Sequence, residues 1–319
     1  MSTRTLEQAF NAKFHDSKAY SEFCSLELTN EITDLEISAK NVFKTSAKLK
    51  EYLRFIDKVM LDCLQKHDQA AHSYVKEKSA LTAVQAHAKG KYFFTTDIEN
   101  FFPSVTAEDV ARILHRDARY VPISDFINFI PKIVELTTYR GSIPIGFVTS
   151  PKLSNAFLLE FDRALYDYCK AHSLIYTRYS DDIIVSCHSR SLLNDIDIHI
   201  QEFLYEYASP KLLLKKQKTR ETHIGKRVKI LGMVIMPNGR ITIDSKYKKT
   251  FESLLHYYIN DKDKFQKLLA DKIKTKDKEH SLFGLLHYAK SIDPLYIDKL
   301  QRKYGAYALS ALMENKWSD

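Results

Sequence analysis

The stretch from Leu174 to Ser186 constrains the fold more than any other. It reads Leu-Ile-Tyr-Thr-Arg-Tyr-Ser-Asp-Asp-Ile-Ile-Val-Ser. Apolar, aromatic and β-branched residues run up to Tyr179 and resume at Ile183, and the residues between them favour a turn. The pattern predicts strand, tight turn, strand, with Asp181 and Asp182 at the tip. Asp is depleted from strands and common in turns, so a solvated hairpin turn would also account for it. A second stretch upstream alters the balance. Lys91-Tyr-Phe-Phe-Thr-Thr-Asp97-Ile98-Glu-Asn-Phe101-Phe102-Pro103 is an aromatic, β-branched run that ends in an acid and then turns. As a buried central strand it would deliver Asp97 beside the hairpin tip.

Three carboxylates that converge cannot all stay ionised without a counter-charge. Hard divalent cations with oxygen ligands supply one, and Mg²⁺ is the usual choice where phosphates also bind. Two such ions, about 3.5–4 Å apart, would activate a 3′-hydroxyl and stabilise a leaving pyrophosphate. The rest of the composition suits a polyanionic partner. The chain has 319 residues, 45% hydrophobic and 28% charged, with a formal charge of +8. That length allows a sizeable core and two or three subdomains. Cys24, Cys63, Cys169 and Cys187 have no C-x-x-C spacing, so neither a zinc site nor a disulfide framework is expected. The N-terminus lacks an apolar signal core, and no apolar run approaches the ~20 residues needed to span a bilayer. The expectation is a cytoplasmic protein with no membrane partner.

In this order the two stretches resemble motifs A and C of the reverse transcriptases. Tyr179-Ser180-Asp181-Asp182 resembles the family's Tyr-x-Asp-Asp box, with Ser at the variable position. The resemblance covers most of the chain and is closest to the short prokaryotic enzymes, the retron and defence-associated reverse transcriptases. Gly141-Ser-Ile-Pro-Ile145-Gly146-Phe-Val-Thr-Ser-Pro resembles motif B, with Ile145 where Gln is usual. Leu212-Leu-Leu-Lys-Lys-Gln-Lys218-Thr resembles motif D. Two departures point from typical retron enzymes towards their defence-associated relatives. The Asn of an N-A-x-x-H signature is absent at Ala83-Val-Gln-Ala-His87, and Ile230-Leu-Gly replaces a Val-Thr-Gly. His67, His72 and His87 have no spacing that suits a shared metal and are read as structural.

The resemblance implies an α+β, right-hand polymerase: a palm antiparallel sheet with mostly helical fingers and a helical thumb. Its expected segments are 1–90 (N-terminal fingers), 91–107 (palm, motif A), 108–140 (fingers–palm connection), 141–243 (palm, motifs B to E) and 244–319 (thumb). No nuclease, maturase, protease or integrase domain is expected to follow. The first ninety residues read as mainly helical, with Leu49, Leu53, Ile56, Met60 and Leu64 at helical spacing. Ala107 to Tyr139, the amphipathic run Ala156 to Cys169 and the region from Asp244 onward also read as helical. Asn238-Gly239 marks a hairpin turn.

As to function, the resemblance implies RNA-directed DNA synthesis with two Mg²⁺ ions on Asp97, Asp181, Asp182 and the Ile98 carbonyl. Lys218 would be the general acid for pyrophosphate. Phe102, five positions after Asp97, would be the steric gate against a ribose 2′-hydroxyl. Lys40 and Gly146 would contact the incoming nucleotide, Lys40 standing near the place of a family Arg. The implied partners are an RNA template, including a dedicated non-coding RNA, a DNA primer and product, and dNTPs. A second copy or a co-encoded defence protein is a further expected partner. Two rival readings remain at this point: template-independent or protein-primed synthesis, and a catalytically silent RNA-binding scaffold.

Overall fold

In the computed structural model, which describes residues 4–37, 40–272 and 278–313, the two acid-bearing stretches fold as strands of one sheet. The chain starts with α1 (Leu6–Phe14) and α2 (Tyr20–Ser25), then β1 (Ile32–Ile37) and β2 (Lys40–Thr45). Next comes α3 (Ala47–Val59), whose N-terminal cap Ser46 accepts the Leu49 N–H at 3.0 Å. The β1–β2 hairpin is an unexpected strand pair within a region whose regular structure is otherwise helical, as expected. Its β-branched residues Ile32, Thr33, Val42 and Thr45 favour a strand, and Leu35 pairs across it with Val42. Phe10, Phe23, Tyr52 and Phe55 form one aromatic cluster beneath these elements, with centroids 5.2–5.9 Å apart.

The chain continues through α4 (Ala80–Ala86), β3 (Tyr92–Asp97), the single turn α5 (Phe101–Ser104), α6 (Ala107–Asp117) and α7 (Phe126–Thr137). Thr106 and Asp109 cap α6 reciprocally. The motif-B loop opens α8 (Ser150–Phe157), which breaks at Leu158 before α9 (Leu159–Ala171). Then follow β4 (Ile175–Tyr179), β5 (Asp182–Cys187), α10 (Ile196–Tyr207) and β6 (Arg220–His223). The sheet has the order β4-β5-β3-β6, so β3 lies inside it and carries Phe93, Phe94, Thr96 and Asp97 buried.

A second sheet joins β7 (Val228–Ile230), β8 (Met233–Ile235) and β9 (Ile241–Ile243) as an antiparallel meander, with Asn238-Gly239 at the expected turn. Gly239 has φ +80°, a backbone that the type of turn favours in glycine. The C-terminal region is helical: α11 (Ser245–Asn260), α12 (Lys262–Lys272), α13 (Lys278–Ile292), α14 (Pro294–Tyr304) and α15 (Ala306–Met313).

By compactness the chain divides into two units, Met1–Ser79 with Phe94–Glu221 and Ala80–Phe93 with Thr222–Asp319. In the second unit Asp293 is a hub. It accepts hydrogen bonds from Arg240, Thr242 and Lys248 and caps α14. All the site residues below lie in the first unit. Among the described residues, no helix is long and apolar enough to cross a membrane.

Candidate active site

Asp97 ends a strand covered on both faces and is 3% exposed. The chain beyond it is stitched down on both sides. The Ile98 N–H donates to the Asp181 carbonyl at 3.0 Å, and the Glu99 N–H donates to Leu213 at 2.8 Å. The Asp97 carbonyl in turn accepts the Lys215 N–H at 2.8 Å, and the hydroxyls of Thr96 and Thr219 meet at 2.8 Å. Motif A thus touches both the hairpin tip and the motif-D segment. A cavity of about 350 Å³ opens there, lined among others by Asp97, Ile98, Phe102, Asp181, Lys215 and Lys218.

The hairpin is antiparallel, with Tyr179 opposite Asp182, which leaves Ser180 and Asp181 as its turn. Ser180 has φ +59°, a strained conformation for a residue with a Cβ. It is held by neighbours: its N–H donates to Ser73 Oγ at 2.7 Å, and its carbonyl accepts from Arg178 at 2.9 Å.

Behind the tip lies a polar network that sequence reasoning missed. Arg178 and Asp162 are both fully buried and form a two-point ion pair, Nε to Oδ1 at 2.8 Å and a second guanidinium N–H to Oδ2 at 2.6 Å. Tyr176 donates its hydroxyl to the same carboxylate at 2.7 Å. Arg178 also donates to Asn155 Oδ1 at 3.1 Å, and Asn155 Nδ2 donates to the Ser73 carbonyl at 2.8 Å. Burial alone would lower the Arg178 pKa; the Asp162 carboxylate more than offsets this and leaves it above its ordinary value. Burial and Asp162 together push the Tyr176 hydroxyl well up, so it stays a donor. The network links α8, α9, the loop at Ser73 and the hairpin tip.

Lys218 donates from its ammonium to Asp97 Oδ2. That hydrogen bond, followed by the charges of Asp97, Asp182 and Asp181, raises its pKa. All three predicted acids therefore act on one cation. Among the described residues no three His, Cys, Asp or Glu side chains stand close enough to hold a metal, and Asp97 is paired with an ammonium instead. The donors are nonetheless all oxygen, and a cation already sits against Asp97, so the set suits a hard divalent ion. His72 and His87 are buried; burial, with Lys78 nearby, pulls the His72 pKa down to about 4, in keeping with a structural histidine.

The remaining expected residues divide. Phe102 is half-buried and lines the cavity, whereas Phe101 is buried next to Phe157. The two rings lie on the single helical turn α5 and meet edge to face, with centroids 5.6 Å apart. Ile145 lines the cavity, but Gly146 is not among its lining residues. With φ +111°, a Cβ on Gly146 would lie 2.4 Å from the Phe43 carbonyl oxygen. This glycine lets the motif-B loop meet β2, where the Phe43 N–H donates to Ile145 at 2.8 Å. Lys40 opens β2, and its side chain lies outside the described residues. Arg140, which sequence reasoning passed over, does line the cavity. Its guanidinium lies 5.1 Å from the Tyr139 ring and 5.7 Å from the Phe43 ring, and it pairs with Asp34 at 2.7 Å.

A family model described as reverse transcriptase (RNA-dependent DNA polymerase) matches residues 42–235. The chain is 29% identical over 280 residues to the Retron Ec73 reverse transcriptase of Escherichia coli, covering 83% of each protein. It is 24% identical over 282 residues to the Retron Ec83 reverse transcriptase of the same organism, covering 86% of each. A telomerase from Candida albicans aligns with a TM-score of 0.49 and 10% identity, over 96% of this chain and 66% of that one, a likeness too distant to add to the assignment. The model spans the strand of Asp97, the hairpin of Asp181 and the turn of Lys218, and the relatives extend the match across most of the chain. The protein belongs to the reverse transcriptases, the RNA-dependent DNA polymerases, and within them it is retron-like.

Proposed function

We propose that the protein copies an RNA template, a dedicated non-coding RNA among its partners, into cDNA from dNTPs, in the cytoplasm and in bacterial anti-phage defence. The observation that carries the catalytic part is the Ile98 N–H bond to the Asp181 carbonyl at 3.0 Å, which locks motif A to the hairpin tip and brings Asp97 and Asp181 to one cavity. Divalent metal belongs to the family's chemistry. Asp97, Asp181, Asp182 and the Ile98 carbonyl would hold two Mg²⁺ ions, which supply charge stabilisation at the transferring phosphoryl group and lower the pKa of the primer hydroxyl. The chain's own groups do the rest. Lys215, Lys218 and Arg140 give the cavity a positive lining for a triphosphate. The Phe102 ring occupies the sugar side of the cavity and excludes a 2′-hydroxyl. Lys218 holds a proton within reach of a departing pyrophosphate. The 1–90 and 108–140 segments would act as fingers, 91–107 and 141–243 as palm and 244–319 as thumb.

The test is primer extension with purified Asp97→Ala and Asp181→Ala proteins. Both should retain wild-type thermal unfolding and lose Mg²⁺-dependent DNA synthesis by about 10³-fold or more. Near-normal synthesis by Asp181→Ala would remove the reaction from this site. Sequencing the nucleic acid that co-purifies with the intact protein identifies the RNA.

A further inference from the structure

The segment from Leu213 to Thr219 divides its side chains between two concavities. Lys215 and Lys218 line the cavity of Asp97. Leu213, Leu214, Lys216, Gln217 and Thr219 line a second groove of about 780 Å³, completed by Glu99 and by α10 residues including Ile198, Gln201 and Glu202. Apolar atoms make up most of the groove surface that solvent reaches. Leu213 is 54% and Ile198 52% exposed, and Tyr205, two turns along α10 from Ile198, is 65% exposed.

Its charge runs against that of the protein. The chain carries +8 overall, yet Glu99, Asp197 and Glu202 face the groove against a single cation, Lys216. Glu202 has His199 at 3.4 Å, while Glu99 and Asp197 have no ion pair among the described residues. Such a rim repels phosphates and attracts ammonium and guanidinium groups. The floor is already fixed. Gln201 Nε2 donates to the Leu212 carbonyl at 2.8 Å, and its Oε1 accepts the Leu214 N–H at 3.0 Å, so both ends of that amide hold the segment in place.

We infer that this groove docks a helix of a partner protein bearing apolar side chains flanked by lysine or arginine, and that the docked helix governs the Lys218 turn. A helix in a groove suits two apolar anchors on adjacent elements with an acidic rim. The route to the catalytic cavity is short and covalent. Leu213, an anchor, accepts the Glu99 N–H at 2.8 Å, and Lys215, two residues on, donates to the Asp97 carbonyl at 2.8 Å. The docking stands on the groove alone; its effect on synthesis rests on the reading of Asp97 and Lys218 given above.

The experiment uses the full chain and a fluorescein-labelled amphipathic peptide of leucine and lysine, with a leucine–glutamate peptide of the same pattern as its counterpart. Fluorescence anisotropy should show saturable binding of the lysine peptide. Leu213→Asp or Ile198→Asp should weaken it about tenfold, one exposed apolar anchor in each case. Asp197→Lys combined with Glu202→Lys should transfer the preference to the glutamate peptide. All these positions are exposed, and thermal unfolding confirms the fold of each variant. No saturable binding, or binding indifferent to these substitutions, overturns the docking site. So does an RNA oligonucleotide whose affinity falls with the same substitutions, or a dimer in sedimentation that Leu213→Asp dissolves, since the occupant would then be nucleic acid or a second copy. In a second arm, saturating lysine peptide should change the single-nucleotide incorporation rate of wild type and leave Leu213→Asp unaffected. An unchanged wild-type rate overturns the control of Lys218, while an active Asp181→Ala protein overturns the catalytic reading without touching the binding arm.

Discussion

Replacing Asp162 with Asn leaves the Arg178 guanidinium fully buried beside a neutral amide. The carboxylate that accepts two hydrogen bonds from Arg178 and one from Tyr176 is then gone. Breaking a buried ion pair from one side costs roughly 3–5 kcal/mol, a large share of the roughly 5–15 kcal/mol that stabilises a domain. For a unit of this size the loss corresponds to a fall in Tm of roughly 6–20 °C. The informative variant is the double one, Asp162→Leu with Arg178→Met. Apolar replacement of a buried pair is often neutral or stabilising, so Tm should return close to wild type. The hairpin tip still lacks the Arg178 bonds to the Ser180 carbonyl and Asn155. Asp181 sits in that turn, and misplacement by about 1 Å can cost 10²-fold in rate. Single-turnover incorporation should therefore show restored stability, a KM for dNTP near wild type and kcat about 10- to 100-fold down. Wild-type kcat in a folded double variant would mean the network only holds the core together. An unchanged Tm for Asp162→Asn would refute the desolvated ion pair itself.

Two further outcomes are expected. Phe102→Ala should open the sugar side of the cavity, so that single-nucleotide extension with matched substrates shows incorporation of rNTPs where wild type prefers dNTPs; an unchanged preference places the gate elsewhere. Asp293 is held below the ordinary carboxyl range, because its bonds from Thr242, Arg240 and Lys248 outweigh the effect of burial. A depressed carboxyl stabilises fully above its unfolded pKa, about 3.9, and that contribution is lost as pH falls through the folded value; Asp293→Asn should flatten the acid limb of a Tm-versus-pH curve.

What the sequence made legible follows from how local the signal is. The β4–β5 hairpin and β3 announce themselves through β-branched and aromatic runs broken by turn residues, and Asn238-Gly239 does the same for β8 and β9. The β1–β2 hairpin escaped notice because its strands present little buried surface; Thr33 to Glu36 are exposed, so no periodic apolar face marks them. The break at Leu158 has no Gly or Pro to signal it. The Asp162–Arg178 pair was invisible for another reason. Arg178 looks like an outward-facing residue of a strand, and only the packing of α9 on β4 brings a carboxylate 16 positions away to meet it. Gly146 read as a place for a ligand to approach, but it is the backbone of β2 that comes close. Arg140 stands one residue before the Gly141–Pro151 loop and has a positive φ of +53°, a feature that sequence does not display.

The proposed mechanism gives Lys218 two tasks that a single substitution can separate. While it pairs with Asp97, its ammonium is the counter-ion of the acid cluster, and the hydrogen bond raises its pKa, so it is then at its weakest as a proton donor. Its value as an acid returns when the charge of Asp97 is engaged elsewhere and the pKa relaxes towards the ordinary lysine value. Lys218→Arg keeps a cation beside Asp97, yet a guanidinium with pKa above about 12 does not release its proton. The arginine variant should therefore match wild type in thermal stability and in dNTP KM, while kcat falls about 10²-fold, the scale of a lost general acid. Lys218→Ala should lose kcat by as much and should also unfold at lower temperature, because Asp97 is left buried without its partner. Pre-steady-state incorporation across pH distinguishes the two roles. If the arginine variant turns over as fast as wild type, Lys218 is a counter-ion alone, and the proton reaches pyrophosphate from solvent or from another group in the cavity.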